Sequence, residues 1–289
     1  MIPVVAIVAP GNMGAAIAKR LAEHQVEVLT TLEGRGAAST QRAREAGMTA
    51  VPLERLVEAQ WVLSIVPPAA AVSFAKRLAP LLAAERKTRG ASSTGPVFVD
   101  CNAVNPETVQ EIGAVITATG TPFVDAAIIG QPPRPGAPGP HFYASGTHAT
   151  QLETLQDYGL EIRVLDGPAG AASALKMCYA GINKGLAAIG AAMILAAARS
   201  GATAALYQEM SESLPNVLTA LRRQIPDMLP KAYRWVGEMH EIAEFAADDP
   251  AARDIFNAFA RLFAQVAKDV GGEQRESAAL TGFFDKSAG

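Results

Sequence analysis

The chain has 289 residues, 49% apolar and 18% charged, with a formal net charge of −3. That length suits two domains better than one core, and the weakly acidic balance excludes a nucleic-acid surface built on bulk positive charge. Two cysteines, Cys101 and Cys178, exclude a disulfide framework, and the dispersed His24, His141, His148 and His240 offer no metal-ligand spacing, so no metal site is expected.

The opening segment, MIPVVAIVAPG, has no basic leader and meets a turn too soon for a signal peptide. It predicts a strand over Pro3–Val8, followed by a helix over Met13–Glu23. Further strands are expected at Glu27–Thr31, Trp61–Ile65, Val97–Asp100, Pro122–Ala126, His141–Ser145 and Ile162–Leu165, with helices such as Ser39–Ala46 between them. Short apolar strands alternating with helices predict an α/β fold, a doubly wound parallel sheet covered on both faces. The turn into the first helix, Pro10, Gly11, Asn12, Met13 and Gly14, supplies the second and third glycines of a G-x-G-x-x-G pattern, with Ala9 at the first. Gly11 lets backbone approach a pyrophosphate, Gly14 lets the helix pack on the strand, and the helix N-terminus offers N–H groups to phosphate. After the second strand, Glu33 stands where an acid holds the ribose 2′-OH of NAD, while Arg35, Ser39, Thr40 and Arg42 suit a 2′-phosphate. The loop favours NADP and leaves NAD open; Arg42 reads equally well as part of a solvated face.

Beyond LDGPAG (Leu165–Gly170) only helical periodicity remains, broken by Gly201, Pro215, Pro226, Pro230 and Pro250. Residues 1–165 are therefore expected to form a Rossmann NAD(P)-binding domain, and residues 166–289 an all-α substrate and dimerisation domain. The longest apolar run, Gly185–Ala198, is 14 residues, too short for a bilayer; a cytoplasmic protein without membrane contact is expected. On the segment from Lys231, the residues Ala232, Trp235, Met239 and Ile242 form a core stripe beside a charged one of Arg234, Glu238 and Glu241.

The order VAPGNMG, VLSIVPP, DCNAVNPETV, FVDAAIIG, FYASG and KMCYAGINKG resembles the β-hydroxyacid dehydrogenase and 6-phosphogluconate dehydrogenase superfamily over nearly the whole chain. LEGR and KAYRWVGEMHEI look like a branch of phosphogluconate-dehydrogenase-like NAD-binding proteins. The resemblance implies a nicotinamide cofactor, a small-molecule substrate and a homodimer. It places Val66, Pro67 and Pro68 beside the nicotinamide ribose, Asn102 near nicotinamide and substrate, and Lys176 on the proton of the substrate hydroxyl. A partly desolvated lysine has its pKa lowered toward that task; the alternative is a lysine whose stem lies on apolar surface while its head reaches water.

Departures from the family narrow the substrate. Ile129 and Gly130 stand where a serine and glycine bind substrate carboxylate, Ala180 replaces an asparagine, and Asn183 replaces the second acid of the phosphogluconate branch. Asn183 follows Lys176 by nearly two helical turns and shares its face; with Tyr179, Gln131 and Arg134 it is the candidate substrate contact. The expected activity is NAD(P)-dependent interconversion of a secondary alcohol and its ketone, with Lys176 and Asn183 catalytic. The alternatives are an imine reductase and a non-catalytic NADP-binding module.

Overall fold

The computed structural model describes residues 3–89, 95–134, 136–137 and 139–285. It divides into two compact units, Met1–Lys176 and Met177–Gly289.

The first unit is built on eight strands: β1 (Val4–Val8), β2 (Glu27–Thr30), β3 (Thr49–Ala50), β4 (Trp61–Ser64), β5 (Val97–Asp100), β6 (Phe123–Ile129), β7 (His141–Ser145) and β8 (Glu161–Val164). Helices α1 (Asn12–Glu23), α2 (Ala37–Glu45), α3 (Ala71–Arg89) and α4 (Pro106–Thr117) connect the early strands. The sheet order is β3-β2-β1-β4-β5-β6-β7-β8. Because β1 lies between β2 and β4, the winding reverses there, and the carboxyl ends of β1 and β4 mark the crevice where such sheets bind ligands. Every predicted strand is present. The unforeseen β3 is two exposed residues, too short to leave an alternation pattern.

One feature departs from the expected parallel sheet. β7 pairs antiparallel with β6, while β8 pairs parallel with β7. The link from β6 to β7 spans only residues 130–140, with no helix among its described residues, too short for a crossover, so the chain returns beside itself in reverse. β6 also continues three residues past Ala126, because Ala127, Ile128 and Ile129 pair with Tyr143, Phe142 and His141.

Local rules place the helices. Buried Gly14, Ala15, Ile17, Ala18 and Leu21 give α1 one apolar face against the sheet. Asn105 caps α4 by accepting from the Thr108 N–H, with Pro106 in the first turn, where its missing donor costs nothing.

Helix α5 (Ala171–Arg199) belongs to both units, since the division falls after Lys176; the boundary expected at 165/166 lies in the loop ahead of it. The second unit adds α6 (Thr203–Ser213), α7 (Pro215–Met228), α8 (Ala232–Phe245), α9 (Pro250–Val270) and α10 (Arg275–Asp285). Its core gathers Ala187, Ala191, Ile194, Leu221, Ile225, Met239, Phe263 and Phe283. The stripe Ala232, Trp235, Met239 and Ile242 is buried, as its spacing implied. Gly190 faces α7 so closely that a Cβ there would stand 2.4 Å from Leu221 Cδ2, so a larger residue would make the Leu221 side chain shift. At 29 residues α5 is long and apolar enough to cross a membrane by length and composition, with 44% of its most apolar window buried. The 14-residue apolar run understated it, because small residues extend the helix ahead of Gly185.

Candidate active site

At the β1–α1 turn, α1 starts from Gly11 in extended backbone with no side-chain cap, leaving its first amides without a side-chain acceptor, the arrangement that receives phosphate. A Cβ on Gly14 would stand 2.2 Å from the Ala9 carbonyl oxygen, whereas one on Gly11 would meet nothing within 4 Å. Gly14 thus serves helix–strand packing, and Gly11 keeps open the approach a dinucleotide requires. Pro10 is buried and Asn12 exposed.

Arg42 gives this turn its outer wall. Its Nε donates to the Pro10 carbonyl at 3.0 Å and an Nη to Ser39 Oγ at 3.0 Å, tying α2 to the glycine turn. Sequence spacing alone left Arg42 divided between a 2′-phosphate contact and a solvated face, and did not foresee these bonds within the protein. Glu33 accepts from Arg77 at 3.0 Å and from the Leu53 N–H at 3.4 Å, and Arg35 is exposed beside it.

The ends of the middle strands carry a buried polar network. Asn102 Oδ1 accepts from the Val66 N–H at 2.7 Å, and its Nδ2 donates to Ser64 Oγ at 2.9 Å and to Asp100 Oδ1. Asn102 therefore fixes the loop Val66–Pro68, with Val66 buried and Pro67 and Pro68 exposed. Asp100 and Asp125 are register partners on β5 and β6, 1% and 0% exposed. Asp125 accepts from Ser145 Oγ, from Ser173 Oγ, and from the N–H groups of Gly170, Ala172 and Ser173 at 2.7–3.1 Å, so it caps α5 directly. By contrast, Asp100 Oδ2 is buried without a hydrogen-bond partner among the described residues.

Lys176 follows Ser173 by one turn of α5 and is partly buried. Desolvation pulls its ammonium below the usual lysine range, opposed by the charges of Cys101, Asp100 and Asp125. Asp100 is pushed up to about 7, by burial first and by Asp125 second. Burial and Asp100 also push the Cys101 thiol up. The first unit thus brings together Lys176, Asn102, the Val66–Pro68 loop and the two aspartates. Gln131 and Arg134 lie apart: both side chains are exposed, and the 131–134 loop rests on the outer face of α1, where Arg20 reaches the Arg134 carbonyl at 3.5 Å.

In the second unit, Tyr179 is 54% exposed. Asn183 accepts from Gln224 Nε2 at 2.7 Å, which occupies its carboxamide oxygen. Glu238 pairs with Lys184, whose ammonium stands 5.6 Å from the Trp235 ring centroid, whereas Arg234 and Glu241 are exposed.

Sequence reasoning did not single out Asp100, Asp125, Ser64, Ser145 or Ser173. One signal was present: Phe98-Val99-Asp100 and Phe123-Val124-Asp125 are identical tripeptides, each ending an apolar strand run on a charge, and they align residue for residue.

Residues 4–157 match the family described as the NAD binding domain of 6-phosphogluconate dehydrogenase, and residues 197–266 a domain of unknown function, DUF1932. An uncharacterised 28.5 kDa protein of Methanothermus fervidus is 30% identical over 167 residues, 57% of this chain and 59% of that protein, so the match spans under two thirds of its length. A solved structure of a conserved protein of unknown function, described as similar to 3-hydroxyacid dehydrogenases, superposes with TM-score 0.75 and 29% identity over 93% of this chain and 98% of its own. The 3-hydroxyisobutyrate dehydrogenase of Mycobacterium tuberculosis, solved with L-serine, shares the fold at TM-score 0.71 and 20% identity, over 97% and 98% of the two chains.

Proposed function

The chain belongs to the family of the 6-phosphogluconate dehydrogenase NAD-binding domain, and from that premise we propose that it is a nicotinamide-dependent oxidoreductase interconverting a secondary alcohol on a small polar molecule with its ketone, with Lys176 as acid/base. The observation that carries this reading is the desolvated Lys176 amine on a helix clamped to the sheet one turn earlier by Asp125.

The cradle fits a dinucleotide: Gly11 leaves space above uncapped helix amides, and Asn102 holds the neighbouring Val66–Pro68 loop. The cofactor, when bound, accepts or supplies the hydride. The protein's own part is the proton. In oxidation the neutral Lys176 amine takes the hydroxyl proton as hydride leaves the carbinol carbon; in reduction the ammonium polarises the carbonyl and protonates the alkoxide. Asn102, whose carboxamide is taken up by Val66, Ser64 and Asp100, serves by holding the Val66–Pro68 loop, and Tyr179 and Asn183 are the helical unit's candidate contacts. Arg35, Ser39 and Arg42 favour NADP over NAD at the adenosine end. The enzyme acts as a cytoplasmic homodimer on this reading, supported by a stripe of exposed apolar side chains along α5.

The deciding experiment is a panel of hydroxyacids, other alcohols, ketones and imines, followed by nicotinamide absorbance with both cofactors. The expected outcome is turnover that Lys176→Ala lowers by about 10²–10⁴-fold while leaving cofactor affinity in place. Turnover of cyclic imines that survives Lys176→Ala would instead support an imine reductase. Cofactor binding without turnover of any compound would support a non-catalytic NADP-binding module.

A further inference from the structure

We propose that Arg77 of α3 sets cofactor selectivity at the adenosine end. Paired with Glu33, it neutralises the acid that would repel a 2′-phosphate, and it supplies donors that bind that phosphate. This role rests on the dinucleotide reading above but not on the chemistry assigned to Lys176.

The backbone fixes where Glu33 stands. β2 runs parallel beside β1, with Leu29 level with Ala6, so the segment after β2 leaves the sheet at the same carboxyl edge as the glycine turn Pro10–Gly14. The Arg35 N–H donates to the Leu32 carbonyl at 3.0 Å, closing a tight turn in which Gly34 takes φ +67°. Glu33 precedes that glycine and is held from two sides. Its Oε1 accepts from the Leu53 N–H at 3.4 Å, and its Oε2 accepts from an Arg77 Nη at 3.0 Å.

An acid at this place in a Rossmann fold receives the ribose hydroxyl of NAD, and the same charge turns away the 2′-phosphate of NADP. Here the acid does not stand alone. The bond to Glu33 uses one of the several N–H donors of the Arg77 guanidinium, whose planar fork matches phosphate oxygens. The two side chains are 59% and 49% exposed, so a ligand can reach both. An ion pair this exposed adds little to stability, and its effect belongs to what binds beside it. Arg42, by contrast, is engaged with the Pro10 carbonyl and Ser39 Oγ. No motif spacing links Glu33 to a residue 44 positions away, and only the fold brings Arg77 to it.

The test measures the affinities of NADPH and NADH by fluorescence titration of the full chain, without substrate. Arg77→Ala should weaken NADPH by about tenfold or more and NADH by less than about threefold. In the double variant Glu33→Gln, Arg77→Ala, the uncovered carboxylate is gone, and NADPH should regain about threefold or more over Arg77→Ala alone. Equal losses of both cofactors in Arg77→Ala, as a simple brace of the turn would give, overturn the proposal. So do an unchanged NADPH affinity and the absence of any regain in the double variant. If Arg77→Ala does not fold, Glu33→Gln decides: NADH should weaken relative to NADPH by about threefold or more, and an unchanged ratio overturns the role of the pair. A wild type that binds neither cofactor removes the dinucleotide reading and this role together, whereas each of the other failures leaves that reading standing. None of these affinities depends on turnover, so they are independent of the Lys176→Ala kinetics.

Discussion

A methyl group on residue 14 would overlap the Ala9 carbonyl oxygen, while one on residue 11 would enter open space. Gly14→Ala should therefore cost about 1–3 kcal/mol of stability through overpacking, read by urea unfolding. Gly11→Ala should leave stability within about 1 kcal/mol and act instead on cofactor affinity, read by fluorescence titration. Equal stability losses in the two variants would contradict this division of labour. Asp100 carries a second residue-scale prediction. Its native pKa, near 7, lies above the ordinary 3.8. Between those values the folded state binds more protons than the unfolded, so this group makes stability fall as pH rises from about 4 to 7. The decline should reach up to about 4 kcal/mol and be absent in Asp100→Asn, compared by urea midpoints at each pH. The close packing at Gly14 was legible because motif spacing encodes it. The aspartate pair was not, since strand register decides which charges become neighbours.

At the scale of elements, α5 is held by its first turn. Asp125 receives two serine hydroxyls and three backbone amides around that turn. Asp125→Ala leaves those buried donors unsatisfied and should cost more than about 3 kcal/mol, whereas Ser173→Ala, which removes one hydroxyl and keeps the amide contacts, should cost about 1 kcal/mol. Calorimetry of the two variants checks the ratio. A comparable loss in both would mean that the helix is held elsewhere. Strand identities were readable from the alternation of apolar runs with helices, but the reversal of β7 was not. It follows from the connection that precedes the strand, and the residues of β7 themselves carry no mark of direction.

For the whole molecule, the switch from α/β to purely helical periodicity after Gly170 was visible in the sequence, because strands and helices repeat with different periods. The helix that both units share was harder to read, since Ala and Gly carry little pattern. Along α5 the exposed Tyr179, Ile182, Ile189 and Met193 recur at helical spacing, an apolar stripe of the kind that marks an association surface. The double variant Ile189→Glu, Met193→Glu should convert a dimer to a monomer in sedimentation equilibrium without loss of helicity; an unchanged mass would remove the stripe from the interface. The fastening of Arg42 to Pro10 and Ser39 bears on any attempt to retune this protein between its two possible redox carriers. Because this guanidinium braces the glycine turn itself, replacing it should slacken that turn as well as alter the charge beside it. On the function proposed above, selectivity is more safely rewritten at Arg35, whose exposed side chain makes no hydrogen bond or ion pair among the described residues.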